Sequence, residues 1–392
     1  MQSCNQQVIG VFSRRIAGAR CMQSDASNAA ARAVARLAFA GAVATLFWSS
    51  IRQIRQLRPL TVVQYNVLFD SHKDGCIDAT VRSYAKAEEL AWSARCANIA
   101  RRVRECADVA LFEELGPAMF ETLRPMLPEF DAWHASELVT AVKHPDGEEL
   151  AIFIRRSTVI IDGVPRCRRL VAYAQTEEER QVMMVAEQPG DSPPEVYAVI
   201  SAAVRRHGWL ASKTLIVGGT HLRWEFGEMP AAKAKPVQAI CAGRAMWEHA
   251  RDASACGVAL AADFNSFPVH GAVLAVGDAG LSAGHPEHPG GGCGDLRLYP
   301  PLRSAFADVH GADPPFTRKK NTIDSQFCLD YVFIGGDEVR ATGAGFGAGP
   351  PPYKLDGDGS DLPYLPCDAW PSDHLPIAVQ LMTSLWLSVH GS

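Results

Sequence analysis

The 392-residue sequence has no Cys-x-x-Cys pair among its 11 cysteines and no apolar run as long as a membrane-spanning helix. Irregularly spaced cysteines argue against a disulfide framework or a thiolate zinc site and fit reduced thiols inside a cell. The one Gly-x-Ser-x-Gly string, Gly280 to Gly284, lies in a Gly- and Pro-rich loop and not between a strand and a helix, so it is no nucleophile elbow of the hydrolase kind. The longest apolar candidate, residues 37–48, stops at Ser49-Ser50 between Arg36 and Arg52, well short of the roughly 20 residues a span requires. Positive charge is scarce as well. The formal net charge is −5, yet residues 1–60 hold +7 from eight arginines against one acid, Asp25, which leaves −12 on the remainder. A body that acidic lacks the broad basic face that displaces counterions from a long duplex.

The remaining composition, 47% hydrophobic and 21% charged, is that of a globular chain long enough for two domains or one large sandwich. Residues 1–58 are rich in Arg, Ala and Ser, with a helix expected over 29–47. This is the composition of a mitochondrial transit peptide, and a disordered leader or a short signal anchor are the competing readings. The expected location is intracellular, mitochondrial if the leader is an address and cytoplasmic otherwise.

From Leu60 onward short apolar runs alternate with helical patterns, which indicates α/β organisation. Helices are expected over residues 85–106, 118–127 and 231–253, and a buried strand over 150–154. Six runs carry polar groups at one end. Leu60 to Tyr65 runs into Asn66, Val109 to Phe112 into Glu113-Glu114, Leu215 to Thr220 into His221, and Val258 to Ala262 into Asp263-Phe264-Asn265. In two others the polar residue comes first: Asp330 precedes Tyr331 to Ile334, and Asp373-His374 precedes Leu375 to Val379. If these groups meet at one rim, four strands arrive there and two leave it, so the sheets must be mixed. A single rim drawn from both halves of the chain also makes residues 59–386 one catalytic domain.

The chemistry of such a rim follows from its groups. Four carboxylates (Glu114, Asp263, Asp330, Asp373), two amides (Asn66, Asn265) and two imidazoles (His221, His374) gather without a thiol, which suits a hard cation such as Mg²⁺ or Mn²⁺. An ion held by Glu114 would polarise a phosphoryl oxygen. Asp263 is placed to deprotonate a water, with Asn265 two residues on and facing the same side. His374, partnered by Asp330, would stabilise a pentacovalent transition state as a cation. Ser372-Asp373-His374 is no hydrolase triad, because neighbours in an extended segment face opposite ways. His285-Pro286-Glu287-His288 is a poor metal motif, because the proline breaks the helical turn that would align the two imidazoles.

Gln64-Tyr65-Asn66-Val67-Leu68, residues 108–114, Thr220-His221-Leu222, Asp263-Phe264-Asn265-Ser266, Leu329-Asp330-Tyr331 and Pro371-Ser372-Asp373-His374 resemble, in order, the motifs of the endonuclease/exonuclease/phosphatase superfamily. Within it the chain looks most like the branch of carbon-catabolite-repressor-type deadenylases, nocturnin, angel and 2′-phosphodiesterase. Trp92 with Arg95, Asp146-Gly147 before Ala151, Trp224 after His221, and Ser304-Ala305-Phe306 leading to Pro315-Phe316-Thr317 are further points of likeness.

The resemblance implies a four-layer α/β sandwich with two sheets face to face and helices outside. It also implies Mg²⁺-dependent (or Mn²⁺-dependent) phosphodiester hydrolysis, for this branch 3′-to-5′ removal of poly(A) as 5′-AMP. By position, Glu114 and Asp373 would hold the metal, Asn66 would support it, and His221 would touch the phosphate. Asp263, Asn265, Asp330 and His374 would complete the catalytic set, with Trp224, Phe316 and Arg318 on the substrate side. The chain departs from the usual pattern at Glu113 (usually Gln), Gly219 (Asn), Ala262 (Gly) and Arg318 (Asn). Leucine-rich repeats that would tether it to a deadenylase scaffold are absent from the sequence.

Single-stranded RNA and adenine nucleotides are therefore the expected partners, since an acidic body suits short substrates better than a duplex. A 2′,5′-oligoadenylate phosphodiesterase and a nocturnin-like dinucleotide phosphatase share the chemistry. The reading from another class is a non-catalytic RNA-binding scaffold of the same fold, which should have lost a site residue; Glu114, Asp263, Asn265, Asp373 and His374 are all present.

Overall fold

The computed structural model describes residues 39, 58–69, 90–138, 150–186, 197–207, 213–223, 232–290, 292–319, 326–347, 365–367 and 370–383. By internal packing the chain separates into Met1–Arg58 and Pro59–Ser392, and the strands, helices and site below all belong to the second unit. The leader helix expected over 29–47 falls almost wholly outside the described residues, as do Asp146-Gly147 and Trp224.

The strands in chain order begin with β1 (Leu60–Asn66), β2 (Val109–Glu113), β3 (Phe130–His134), β4 (Ala151–Arg155) and β5 (Val159–Ile161). Next come β6 (Arg166–Arg169), β7 (Ala198–Arg206), β8 (Leu215–His221), β9 (Val258–Asp263) and β10 (Arg303–Ser304). The last are β11 (Arg318–Lys319), β12 (Gln326–Phe327), β13 (Asp330–Gly335), β14 (Val339–Gly345) and β15 (Ile377–Thr383). One sheet runs β14-β15-β1-β2-β4-β3 and the other β10-β13-β9-β8-β7-β5, with β6 also on β7 and a separate β11-β12 ribbon. Both sheets are mixed: β1 and β2 pair parallel, as do β8 and β9, while β15 and β13 run antiparallel to β1 and β9.

Alternation along the strands divides the apolar residues into layers. Val62, Val109, Leu111, Ile152 and Ile377 of the first sheet meet Val217, Ala259, Ala261, Val332 and Ile334 of the second in one inter-sheet core. The opposite face of the first sheet, including Val63, Tyr65 and Phe112, is covered by helices Trp92–Cys106 and Pro117–Leu123. The outer face of the second sheet lies under helices Lys235–Asp252 and Gly271–Val276. This is the four-layer sandwich that the resemblance implies.

The spacing between sheets depends on small residues. A Cβ on Gly219 would stand 3.0 Å from the carbonyl oxygen of Ala261 and 3.3 Å from Leu111 Cβ, so a side chain there would push the sheets apart. Ala262 is likewise buried, under the outer helix layer. Two of the four departures from the family pattern are thus packing positions and do not line the rim.

Candidate active site

The same alternation carries a polar layer into the end of the inter-sheet core. Gln64 and Asn66 follow Val62 on the inward face of β1, and Glu113 follows Leu111 on that of β2. Opposite them, Asp263 pairs in register with His221 on one side and Asp330 on the other. The six strand ends singled out in the sequence do converge, four arriving and two leaving.

Left-handed backbone turns the strand exits into the rim. Leu68 and Glu114, beyond β1 and β2, both have φ of 59°, and Asn265, beyond β9, has φ of 46°. Non-glycine residues hold this conformation only where surrounding contacts over-determine it, and such residues concentrate at functional sites. Here the contacts are explicit. Phe69 N donates to Glu114 Oε2 (2.9 Å), Leu68 N to Asn66 Oδ1 (3.0 Å), and Asn265 N to Asp263 Oδ1 (2.8 Å). Buried Arg95 gathers the same loops, donating to the carbonyls of Val67 (2.5 Å), Leu68 (2.9 Å), Leu90 (2.8 Å) and Pro371 (3.2 Å).

The side chains then interlock across the sheets. Asn66 Nδ2 donates to Glu114 Oε1 (2.8 Å) and Asp263 Oδ2 (3.0 Å), joining the expected metal carboxylate to the expected base. His374 Nδ1 lies 2.8 Å from Asp330 Oδ2, and Asp330 also accepts from Thr317 Oγ1 (2.5 Å) and Gln64 Nε2 (2.7 Å). His221 Nε2 is 3.6 Å from Asp263 Oδ2 and 3.0 Å from Asn265 Nδ2. The Asn265 amide also reaches the carbonyl of Leu222 (2.9 Å), which fixes nitrogen on that side; His221 Nε2 therefore accepts and Nδ1 carries the proton.

Electrostatics distinguish the acids. Burial, followed by the neighbouring Asp330 and Asp263 carboxylates, pushes Glu113 well above the usual carboxylate range. Asp263 is raised by burial and by Asp330, against the opposing pull of His374 and His221. Burial disfavours charge on His374, but Asp330, Asp373 and Asp263 override it and lift the imidazole to about 9. His374 is thus a buried cation at neutral pH.

Asp263, Asp330 and His374 offer potential ligand atoms within 4.8 Å of one another, so the cluster is able to bind a metal. Both Asp330 oxygens, His374 Nδ1 and both Glu114 oxygens accept or share hydrogen bonds, so what sets Glu114 apart as an entry point is its exposure. Glu114 is half-buried, whereas Asp263, Asp330 and Asp373 are buried. The surrounding donors are carboxylate and amide oxygens with imidazole nitrogens and no sulfur, a set that fits a hard divalent cation.

Two expected residues stand differently, and a third is not described. Asp373, expected as a second metal ligand, has Oδ2 bound at 2.9 Å by Arg318 Nε. Phe316, expected on the substrate side, is fully buried in the inter-sheet core, where it has no face to offer a base. Trp224 lies outside the described residues. The His285 and His288 loop binds its own backbone, His288 Nδ1 accepting from Gly290 N and Nε2 facing Gly294 O, as expected of a structural turn.

Other members of the site gave no sequence signal. Gln64 and Thr317 orient Asp330, Ser372 Oγ donates to Asn66 O (2.7 Å), and buried Lys235 Nζ donates to Asn265 O (2.6 Å). Only the motifs' fixed offsets, Gln two before Asn66 and Ser one before Asp373, could have pointed to them.

No family model matches the sequence, and no curated protein matches it. Solved structures do. The human Nocturnin catalytic domain with bound sulfate is 16% identical, over 84% of this chain and 96% of that one, with a TM-score of 0.52. ANGEL2, a 2′,3′-cyclic phosphatase in complex with adenosine-2′,3′-vanadate, is 15% identical over 84% and 96%, with a TM-score of 0.59. An endonuclease/exonuclease/phosphatase from Bacteroides vulgatus is 14% identical over 83% and 99%, with a TM-score of 0.54. The chain therefore has the endonuclease/exonuclease/phosphatase fold, with Nocturnin and ANGEL2 among its structural neighbours.

Proposed function

We propose that the chain is a metal-dependent phosphoester hydrolase acting on nucleotides, in its most specific form a 3′-to-5′ exoribonuclease that releases adenylate residues as 5′-AMP. The observation that carries this reading is Asn66, whose one amide nitrogen ties Glu114 to Asp263 at the meeting of the two sheets.

Glu114 would hold Mg²⁺ or Mn²⁺, with Asn66 fixing the carboxylate. The chemistry such an ion supplies when bound is polarisation of a phosphoryl oxygen and stabilisation of the leaving oxygen. Asp263, raised above an ordinary aspartate, is the stronger base for it and would take a proton from the attacking water. Asn265, locked by its own backbone and by Lys235, orients His221 toward the phosphate. His374 offers a fixed positive charge as negative charge grows on the phosphoryl oxygens.

The acidic body favours short or small substrates over duplexes, so a 2′,5′-oligoadenylate phosphodiesterase and a dinucleotide phosphatase are the alternatives. The likeness to ANGEL2 adds 2′,3′-cyclic phosphates. The purified full chain with Mg²⁺ should be tested against end-labelled poly(A), 2′,5′-oligoadenylate, NADP, adenosine 2′,3′-cyclic phosphate and an abasic duplex. Stepwise shortening of poly(A), lost in Glu114→Ala, supports the exoribonuclease. Turnover of one of the small substrates alone replaces it, and RNA binding without cleavage of any substrate favours the scaffold.

A further inference from the structure

One cation in the site belongs to neither the proton chemistry nor the framework. Arg318, in β11, faces His374 across an antiparallel bridge, and the two segments are zipped by Leu375 N to Thr317 O (2.7 Å) and Lys319 N to Asp373 O (3.2 Å). The backbone thereby holds the guanidinium at the carboxylate cluster. Its Nε donates to Asp373 Oδ2 at 2.9 Å, and the side chain keeps 20% of its surface exposed. Among the described residues Nη1 and Nη2 make no hydrogen bond, so two donor nitrogens remain at a partly open rim. Asp263 and Glu114 also act electrostatically on this guanidinium, which places its charge within range of both the expected base and the expected metal carboxylate.

A positive charge fixed beside these acids has opposite effects on two ligands. It repels a dication twice as strongly as a monocation, and it attracts the oxygens of a phosphate, for which a guanidinium has matching geometry. We propose that Arg318 is a resident cation of the site: it confines the carboxylate cluster to one weakly held divalent ion and takes a non-bridging oxygen of the substrate phosphate through its two free donors. Asp373, already bound to Arg318, then serves to aim the guanidinium and is not a ligand. The proposal deepens the metal-dependent reading above and rests on it.

Mn²⁺ titration of the full chain, followed calorimetrically and by the loss of the free-ion paramagnetic resonance signal, tests the first half without any substrate. Binding of inorganic phosphate tests the second. Arg318→Gln should bind Mn²⁺ about 10-fold more tightly and inorganic phosphate about 10-fold more weakly than the parent, whereas Arg318→Lys, which keeps the charge, should bind Mn²⁺ within about 3-fold of it. Equal tightening in both variants would mean that a released Asp373, and not lost charge, controls the metal, and would overturn the proposal. So would unchanged Mn²⁺ and phosphate binding in Arg318→Gln. Absence of Mn²⁺ binding in all three proteins would instead remove the metal-dependent reading itself.

Discussion

Gln64 Nε2 donates to Glu113 Oε2 at 3.0 Å and to Asp330 Oδ1 at 2.7 Å, so one amide in β1 bridges acids from the two sheets. Glu113 Oε1 and Gln64 Oε1 are buried without a hydrogen bond among the described residues. Burial and the neighbouring carboxylates hold the Glu113 carboxyl well above the usual range, which favours its protonated form.

An acid raised on folding destabilises the native state above its unfolded value, because burial then opposes an ionised group. Glu113 is such an acid. Glu113→Gln should therefore melt higher than the parent, with a margin near zero around pH 4.5 that widens as pH rises above it. Activity should stay within about 3-fold, since an amide of the same shape replaces an acid whose charged form is disfavoured. A thermal melting series across pH, with parallel steady-state rates, checks both. A margin that shrinks with rising pH would contradict the assignment.

His374 has the opposite sign. Its folded value of about 9 exceeds the ordinary 6.5, so its stabilising contribution is complete below pH 6.5 and disappears as pH rises through 9. The span corresponds to on the order of 3 kcal/mol. Urea denaturation at pH 6, 8 and 10 should show this loss in the parent and not in His374→Gln. Activity should fall on the same alkaline limb if, as proposed, the His374 cation faces the charge that grows on the phosphoryl oxygens.

Arg95 supports the rim without touching the reacting groups. Replacing it with Leu strips donors from four backbone carbonyls drawn from residues 67, 68, 90 and 371. Unsatisfied buried carbonyls are costly, so the loss should reach at least about 3 kcal/mol in chemical denaturation. A variant as stable as the parent would mean that the rim loops hold themselves.

The mixing of the sheets was legible because chemistry-bearing residues sat at the ends of apolar runs, four after and two before, and strand direction follows from that order; the sandwich itself came from the resemblance. The helices at 92–106 and 235–252 were legible from their periodicity, the first ending at the expected Cys106 and the second one residue short of the expected Ala253. Residues 162–212 were opaque: β7, Ala198–Arg206, contains three alanines and a serine, too little hydrophobic contrast to mark its faces. Phe316 misled because position along a motif does not reveal which way a side chain turns, and here it turns into the core. The hydrogen bonds of Gln64, Thr317 and Lys235 were hidden because they depend on the distance between the sheets, which no local pattern encodes.

The central claim is that Asp263 deprotonates the attacking water at a metal held by Glu114. Its most direct test is the single-turnover rate of the full chain on end-labelled oligoadenylate with saturating Mg²⁺, for the parent, Asp263→Asn and Glu114→Gln. The account predicts stepwise release of 5′-AMP by the parent and a loss of about 10²–10⁴-fold in Asp263→Asn with folding intact. It also predicts that raising Mg²⁺ partly restores Glu114→Gln and leaves Asp263→Asn unchanged. Cleavage by Asp263→Asn at the parent's rate, or no Mg²⁺-dependent cleavage by the parent, would contradict it.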